Sequence, residues 1–248
     1  MRKGIWVVLL CGVLVLASCA PGQPPQNPPE NVPSANTPTP VPEEEPTATV
    51  QPQTDESASS VESEGADEAM TFQIVADRSE ARFIIQEVLL GNDKTVVGAT
   101  SQVTGEITVV PSNPSASQIG IITINARDFK TDSSRRNRAI QRQVLLTAKN
   151  EYQFITFEPL TIESLPQSIG IGDTFSFSVT GELSVLDTIR SETFEINVTV
   201  ISEQELTGLA STTILYADYG ITVPKVPIVA SVEDEVQLEL EFIATKVE

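Results

Sequence analysis

The stretch "FSFSVTGELSV", residues 175–185, alternates apolar and polar side chains with a period of two residues. Phe175, Phe177, Val179, Leu183 and Val185 fall on one face of an extended chain, and serine, threonine and glutamate fall on the other. Successive side chains of a strand point to opposite sides, so this alternation is typical of an antiparallel strand with one buried face. The stretch therefore predicts a half-buried β-strand.

The same alternation recurs in "TFEINVTVI" (193–201) and "QLELEF" (237–242). A high content of β-branched residues predicts further strands at 72–76, 80–90, 96–110, 118–126, 152–163 and 206–217. A sheet of eight or nine strands must curl into a barrel or divide into a sandwich to hide its edges and its apolar face. The length of segment 96–110 favours an all-β fold, an antiparallel β-barrel of about eight strands. A sandwich of shorter strands is the alternative.

One segment, "TDSSRRNRAIQRQVLL" (131–146), has the pattern of a helix. Asp132 or Ser133 is a suitable N-cap, and no glycine or proline interrupts the chain from there to Lys149. Ile140 and Val144 begin a narrow apolar stripe at helical spacing. The segment also carries four arginines that lie mostly off this stripe: Arg135, Arg136, Arg138 and Arg142. It predicts one short helix with a basic polar face, in a chain whose net charge is −19.

The composition excludes several classes of function. Residues 71–248 contain 24 acidic and 13 basic side chains, which argues against nucleic acid as a partner. The chain has no histidine, and its two cysteines, Cys11 and Cys19, precede this region. The commonest general base, the commonest metal ligand and the catalytic thiol are therefore missing from it. We predict neither an enzyme nor a metal site, and no cofactor.

Six segments carry a family resemblance along the domain. They are "FQIVADRSEARF" (72–83), "VVGATSQVTGEITV" (96–109), "ITINARDFKTDSSRRNRAI" (122–140), "EYQFITFEPLTI" (151–162), "FSVTGELSVLDTIRSETFEINV" (177–198) and "ADYGI" (217–221). In order and spacing they resemble the YceI-like, lipocalin-like family of bacterial polyisoprenoid-binding proteins. Four sites depart from the family pattern: Asn137 stands for aspartate, Leu145-Leu146 for an aromatic residue, Gln153 for proline, and Asp187-Thr188 for glycine.

The resemblance implies a barrel whose apolar lumen holds an isoprenoid chain, such as a quinone or a polyprenyl lipid. The candidates for the lumen wall are Phe83, Ile85, Ile107, Ile121, Phe154, Phe157, Phe175, Phe177, Leu183, Phe194, Ile196, Val198 and Phe242. The candidates for contact with a polar head group are the four arginines of the helical segment, Tyr216 and Tyr219.

The residues alone leave alternatives open at each of these sites. The phenylalanines either line a cavity or fill a core. The arginines pair with the domain's own acids, contact a ligand head group, or lie against anionic lipid. The two tyrosines either orient a head group or pack in a turn. The alternative function is therefore a structural or envelope-stress interaction module with a fully packed barrel and no ligand.

The first residues form a charged start and an apolar run, followed by Leu16-Ala17-Ser18-Cys19. The run is short for a membrane-spanning helix, and the last four residues resemble a bacterial lipobox. We predict a lipoprotein signal peptide over residues 1–18 and lipidation of Cys19, with an ordinary cleaved signal peptide as the alternative. This predicts an exported protein anchored by lipid to the outer face of a bacterial membrane, in the periplasm or at the cell surface.

Residues 19–70 have a different composition from the domain. They hold most of the chain's 17 prolines, ten acidic residues and no lysine or arginine. Such a segment cannot bury enough apolar surface to fold, and it predicts a disordered, semi-extended linker. A Pro-rich ligand for a partner protein is the alternative. The YceI-like barrel domain is assigned to residues 71–248, and its oligomeric state is left open.

Overall fold

The computed structural model of the chain describes residues 69–247. The predictions for the signal peptide, for Cys19 and for nearly all of the linker concern residues outside this range.

The described residues form thirteen strands, one α-helix and one π-helical segment. The strands are β1 (Met70–Ile74), β2 (Glu80–Leu89), β3 (Asn92–Thr100), β4 (Val103–Thr104), β5 (Glu106–Val109), β6 (Gln118–Ile119), β7 (Ile122–Asn125), β8 (Phe154–Glu163), β9 (Thr174–Val185), β10 (Thr188–Ser202), β11 (Glu205–Leu215), β12 (Val229–Val232) and β13 (Glu235–Lys246). The helix α1 is Ser134–Ala139, and the π-helical segment Ile140–Val144 follows it directly. Short 3-10 turns occur at Ala76–Arg78, Pro114–Ala116, Ala126–Asp128, Asn150–Tyr152 and Tyr216–Tyr219.

All thirteen strands belong to one antiparallel sheet. Hydrogen-bonded neighbours run from β4 through β7, β8, β9, β10 and β11 to β13, which pairs with both β1 and β2. Strand β2 then pairs with β3, and β3, β4 and β5 are successive pieces of the one segment 92–109. The path thus returns to the segment in which it began, and the sheet curls into a barrel. The predicted fold class is confirmed, and the sandwich alternative is wrong.

Strand β9 contains the alternating stretch 175–185, and its period is confirmed by burial. Phe177, Val179, Gly181, Leu183 and Val185 are buried, whereas the residues that alternate with them are partly or fully exposed. Twelve residue pairs join β9 to β10, with Ile196 opposite Phe177. Each large apolar side chain removed from water on this face contributes about 1.5–3 kcal/mol to folding. This hairpin therefore fixes which side of the sheet becomes the interior.

The strand divisions differ from the prediction in two places. The segment predicted as one strand over 96–110 is interrupted at residues 101–102 and at Gly105. The bends let a single segment pair in turn with β2, with β7 and with β1. The predicted strand 118–126 is likewise divided, into β6 and β7, because the two parts pair with different neighbours.

The helix is shorter than its sequence pattern predicts. Ser133 is the N-cap, since its side-chain oxygen accepts a hydrogen bond from the backbone N–H of Arg136. The α-helix ends at Ala139 rather than Lys149, and Leu146 adopts a positive φ of 51°. The side chain of Arg127 donates from Nε to the carbonyl of Thr147 (2.7 Å) and from Nη2 to that of Lys149 (3.2 Å). These bonds hold the chain off the helical path, and no local sequence pattern reveals them.

Several connections lie together at one end of the barrel, which we call the helix end. Four pairs of neighbouring strands, β2–β3, β9–β10, β11–β13 and β7–β8, have their last paired residues there. These residue pairs are Leu89–Asn92, Val185–Thr188, Leu215–Glu235 and Asn125–Phe154. The helix end therefore carries the turns 90–91 and 186–187, the segment 126–153 and the loop 216–234. The connections 75–79, 164–173 and 203–204 lie at the opposite end, the far end.

A substitution at Gly181 tests how closely strands β8 and β9 approach each other in the barrel. Strand β8 bulges between Pro159 and Thr161, and a Cβ added to Gly181 would lie 2.3 Å from the backbone oxygen of Glu158. Because backbone cannot easily give way, we expect Gly181→Ala to lower the free energy of unfolding by about 2 kcal/mol in chemical denaturation.

The matched control for this prediction is Gly120→Ala. A Cβ at Gly120 finds its nearest atom at 3.4 Å, so we expect a change within about 0.5 kcal/mol. Equal stability of the two variants would contradict the close approach of β8 to Gly181.

Candidate ligand-binding site

A cavity of about 750 Å³ lies inside the barrel. Its wall is largely apolar and is made by the inward-facing residues of the strands. Eleven of the thirteen lumen candidates line it: Phe83, Ile85, Ile107, Phe157, Phe175, Phe177, Leu183, Phe194, Ile196, Val198 and Phe242. Its volume falls within the range of small-molecule sites, roughly 300–1,000 Å³. A fully packed barrel is therefore not what these residues build.

Ile121 and Phe154 do not line the cavity, and their prediction is corrected. Their exposed fractions are 54% and 51%. In both cases the neighbouring residue, Ile122 or Ile155, contributes to the wall instead. A shift of one position moves a side chain to the other face of a sheet. The prediction therefore chose the correct segments but the wrong one of two adjacent residues in each.

Aromatic rings of the wall meet edge to face. Phe157 and Phe194 lie with centroids 4.8 Å apart at 62°, and Phe83 contacts Phe129 at 5.3 Å and 74°. Such contacts hold each ring in a preferred orientation against its partner, so the rings stay in the wall and do not fill the lumen. Phe129 lies just after the 3-10 turn Ala126–Asp128 and was not among the candidates, because nothing in its local sequence marks it as facing inward.

An ion pair joins α1 to the barrel wall. Glu87 lies on the inward face of β2, is 8% exposed, and accepts a hydrogen bond from Nη2 of Arg136 at 2.6 Å. Nη1 of Arg136 pairs with Asp132, which also accepts a bond from Nζ of Lys94 at 2.5 Å. The hydrogen bond from Lys94, together with the nearby Arg136 charge, lowers the pKa of Asp132 below its usual value. Two ion pairs from the β2–β3 hairpin thus hold the start of the helix in place.

Glu87 was not predicted, although the sequence contains a signal for it. It stands between Ile85 and Leu89 in the period-two register of β2, so the alternation places a carboxylate among inward-facing apolar residues. A buried carboxylate requires a cation, and Arg136 provides it. The structure therefore assigns one of the four arginines to the domain's own acids.

Asn137 departs from the family pattern, yet it makes well-defined contacts. Its Oδ1 accepts hydrogen bonds from the backbone N–H of Thr131 at 2.8 Å and from the hydroxyl of Thr131 at 2.7 Å. The position requires an acceptor, and an amide oxygen supplies one as a carboxylate would.

Four cations border the cavity at the helix end without an ion pair among the described residues. They are Arg135, Arg138 and Arg142 of the helical segment and Lys225 of the loop 220–228. All four are exposed. We call this place, where the cavity reaches exposed residues, the mouth. Lys225 was missed by the prediction, because its loop has no pattern that ties it to the helical segment.

The two tyrosine candidates lie in different places, one in the cavity wall and one outside it. Tyr216 lines the cavity, and its hydroxyl donates to Oδ1 of Asp234 at 3.1 Å; burial and this carboxylate raise the pKa of Tyr216. Tyr219 is only 1% exposed, lies outside the cavity wall, and donates to Oε1 of Glu192 at 2.8 Å. Burial and Glu192 raise the pKa of Tyr219 as well. The head-group prediction for Tyr219 is therefore wrong, because its hydroxyl is fully engaged in the core.

The described residues contain neither a candidate metal site nor a helix suited to crossing a membrane. Between residues 69 and 247 there is no group of three or more His, Cys, Asp or Glu side chains able to hold a metal ion. No helix in the same range has the length and apolar character needed to cross a membrane.

A curled antiparallel sheet around an apolar cavity defines a lipocalin-like binding protein. The family model of the YceI-like domain matches residues 72–244, and the chain belongs to the YceI-like family. The predicted resemblance is thus confirmed.

Two solved structures share the fold. A polyisoprenoid-binding domain from Saccharophagus degradans, implicated in plant cell wall breakdown, aligns with a TM-score of 0.54 and 12% identity, over 72% of this chain and 99% of that one. BcnA of Burkholderia cenocepacia aligns with a TM-score of 0.54 and 18% identity, over 69% of this chain and 99% of that one. At these identities the likeness establishes the fold alone. The comparison with curated proteins found no match.

Arg136→Gln tests the role of the buried ion pair. The change leaves the carboxylate of Glu87 buried without a cation, and we expect the free energy of unfolding to fall by about 3 kcal/mol. Arg135→Gln, one position away on an exposed and unpaired side chain, is the control, with an expected change within about 0.5 kcal/mol. Equal effects of the two substitutions in denaturant titrations would contradict the assignment.

Proposed function

We propose that the domain binds an isoprenoid-type lipid, a quinone or a polyprenyl chain, in the cavity of the barrel. The observation that carries this proposal is the cavity itself, whose wall is built from aliphatic and phenylalanine side chains. The polyisoprenoid-binding domain from Saccharophagus degradans, which has the same fold, supports an isoprenoid as the ligand class.

The energetics of such binding come from burial of hydrocarbon. Each methylene-sized group moved from water into an apolar site contributes about 0.8 kcal/mol, so a five-carbon isoprene unit contributes roughly 4 kcal/mol before the costs of association. A few buried units are enough for tight binding, and no catalytic group is needed. The wall also has few polar atoms with which to orient a sugar, a nucleotide or a peptide.

The charged residues at the mouth fit the polar end of such a ligand. The helical segment brings Arg135, Arg138 and Arg142 to the border of the cavity, and Tyr216 lies in its wall. Guanidinium groups donate to the oxygens of a phosphate or a quinone carbonyl. The chain therefore has an apolar place for the prenyl tail and hydrogen-bond donors for the head.

We further propose that the protein acts outside the cytoplasm, tethered to a bacterial membrane through lipid on Cys19. The support is the sequence alone, namely the apolar run that ends in Leu-Ala-Ser-Cys and the acidic, Pro-rich segment that follows it. A tethered barrel of this kind would carry, store or sense an isoprenoid near the membrane surface.

Lipid extraction tests the proposed ligand class. The full chain bearing Cys19→Ser is purified without detergent and extracted with chloroform and methanol, and the extract is analysed by mass spectrometry. We expect a co-purified quinone or polyprenyl lipid. Val198→Trp puts an indole into the cavity and should abolish that signal, because Val198 lines the wall.

Thr199→Trp is the matched control, since Thr199 lies on the opposite face of the same strand and outside the cavity wall. It should retain the lipid, and thermal melting should show that both variants are folded. An extract without isoprenoid, together with no thermal stabilisation by added quinone or polyprenol, would contradict the proposed function.

A further inference from the structure

We propose that the helix end of the barrel is a docking surface for an anionic lipid bilayer, with the mouth of the cavity facing the membrane. This inference concerns how a surface of the protein meets lipid, and it does not depend on which ligand occupies the cavity. It rests on a strained exposed leucine, on two apolar residues beside it, and on the uncompensated cations at the mouth.

Leu90 lies at the tip of the β2–β3 hairpin and is 70% exposed. It forms a two-residue turn with Gly91, and the φ angles of the two residues are 52° and 80°. Asparagine or aspartate before glycine is the usual choice for such a turn, because positive φ is unfavourable for a residue with a Cβ. Folding therefore gains nothing from a leucine here, either by conformation or by burial. The preceding residue, Leu89, lines the cavity, so this strained and exposed leucine lies next to the cavity wall and indicates a function that requires it.

Two more apolar side chains stand beside Leu90. The backbone N–H of Leu90 donates to the carbonyl of Ile228 at 2.8 Å, which ties the hairpin tip to the loop 220–228. Ile228 is 50% exposed and Val226 is 46% exposed, and both also border the cavity. Three apolar side chains on two adjoining loops thus form one exposed group at the mouth.

The cations lie next to this apolar group. Glu87 and Lys94 of the same hairpin hold α1 through Arg136 and Asp132, so the helical segment is fixed beside the hairpin. Arg135, Arg138, Arg142 and Lys225 then surround the mouth without ion pairs among the described residues. The neighbouring acids Asp93 and Glu233 line a small groove with Gln86, Val88 and Ser231, and Glu87 lies in the wall of both this groove and the cavity.

The charge at the mouth indicates that an anionic membrane is the partner of this surface. The chain has a net charge of −19 and is repelled as a whole by an anionic membrane, yet the mouth concentrates positive charge beside exposed apolar residues. Apolar side chains that enter the headgroup region, next to arginines and lysines that contact lipid phosphate, are the pattern of an interfacial membrane contact. Contact at the mouth would also let an apolar ligand pass from bilayer to cavity without crossing water.

The far end of the barrel differs from the mouth in its surface charge. Ile171 is 61% exposed there, in the turn that joins β8 to β9. The nearby carboxylate of Asp173 accepts a hydrogen bond from the backbone N–H of Gly170. Within residues 69–247 this end has an exposed apolar residue but no comparable group of unpaired cations, so it serves as an internal control.

A site-specific fluorescent label tests the proposal in the full chain. Cys11 and Cys19 are replaced by serine, and a single cysteine at position 90 or at position 171 is labelled with a polarity-sensitive nitrobenzoxadiazole dye. Vesicles of equal parts phosphatidylglycerol and phosphatidylcholine are added, and vesicles of phosphatidylcholine alone serve for comparison. We expect the label at 90 to brighten and shift to shorter wavelength with the anionic vesicles only, and the label at 171 to stay unchanged. Any anchoring through residues 1–18 is common to both proteins and cannot produce this difference.

Substitutions at the mouth provide the second measurement. With Arg135, Arg138 and Arg142 changed to Gln, the shift at position 90 should need on the order of a hundredfold more anionic lipid, because each basic residue near such a surface contributes a factor of about five in affinity. Leu90→Asn should weaken vesicle binding while its melting temperature stays equal to or above that of the parent, because asparagine suits the turn. Ile171→Asn should leave vesicle binding unchanged.

Three outcomes would overturn the proposal. One is an equal response of the labels at 90 and 171, or no response at 90. Another is a strong loss of thermal stability in Leu90→Asn, which would assign the leucine a folding role. The last is a dimer in sedimentation experiments that Leu90→Asn dissociates while vesicle binding persists, which would identify a second copy of the chain as the occupant of this surface.

Discussion

In a sheet that closes on itself, every second side chain must point inward, and this constraint shapes the whole molecule. The alternation in β9 and β10 assigns phenylalanine, valine, leucine and Ile196 to the interior. It assigns serine, threonine, glutamate and two further isoleucines, Ile189 and Ile201, to the outside. The interior that the curled sheet surrounds is wider than these side chains can fill, and a cavity of about 750 Å³ results. The same alternation therefore produces both the hydrophobic stabilisation of the barrel and its binding site.

The position of the helical segment depends on a charged residue, Glu87, that faces the otherwise apolar interior. Glu87 occupies an inward position of β2, where a carboxylate is costly unless a cation accompanies it. Arg136 meets that need, and in doing so it fixes α1 beside the β2–β3 hairpin. The neighbouring arginines are thereby held at the mouth although they make no ion pairs of their own in residues 69–247. The buried pair of Glu87 and Arg136, together with the pair of Lys94 and Asp132, thus positions the arginines of an otherwise acidic chain.

The sequence predicted the fold class, the family and eleven of the thirteen lumen residues, because a period of two is a local property that survives folding. It failed where the answer depends on contacts distant in sequence. Ile121 and Phe154 are next to the correct residues: Ile121 lies in the break between β6 and β7 and Phe154 begins β8, so neither has a complete strand around it that fixes which face it occupies. The helix was overestimated because Arg127 captures carbonyls some twenty residues away. Tyr219 was misassigned because Glu192, which binds its hydroxyl, belongs to another strand.

The account stands on the claim that the inward-facing side chains surround a space that an isoprenoid can enter. The most direct measurement is a crystal structure of the protein grown with farnesol, a short isoprenoid of three units. The account predicts continuous electron density for the ligand along the cavity, in contact with Phe177, Leu183 and Ile196. A barrel whose phenylalanines have closed together over that space, with farnesol absent or bound only at the outer surface, would contradict it.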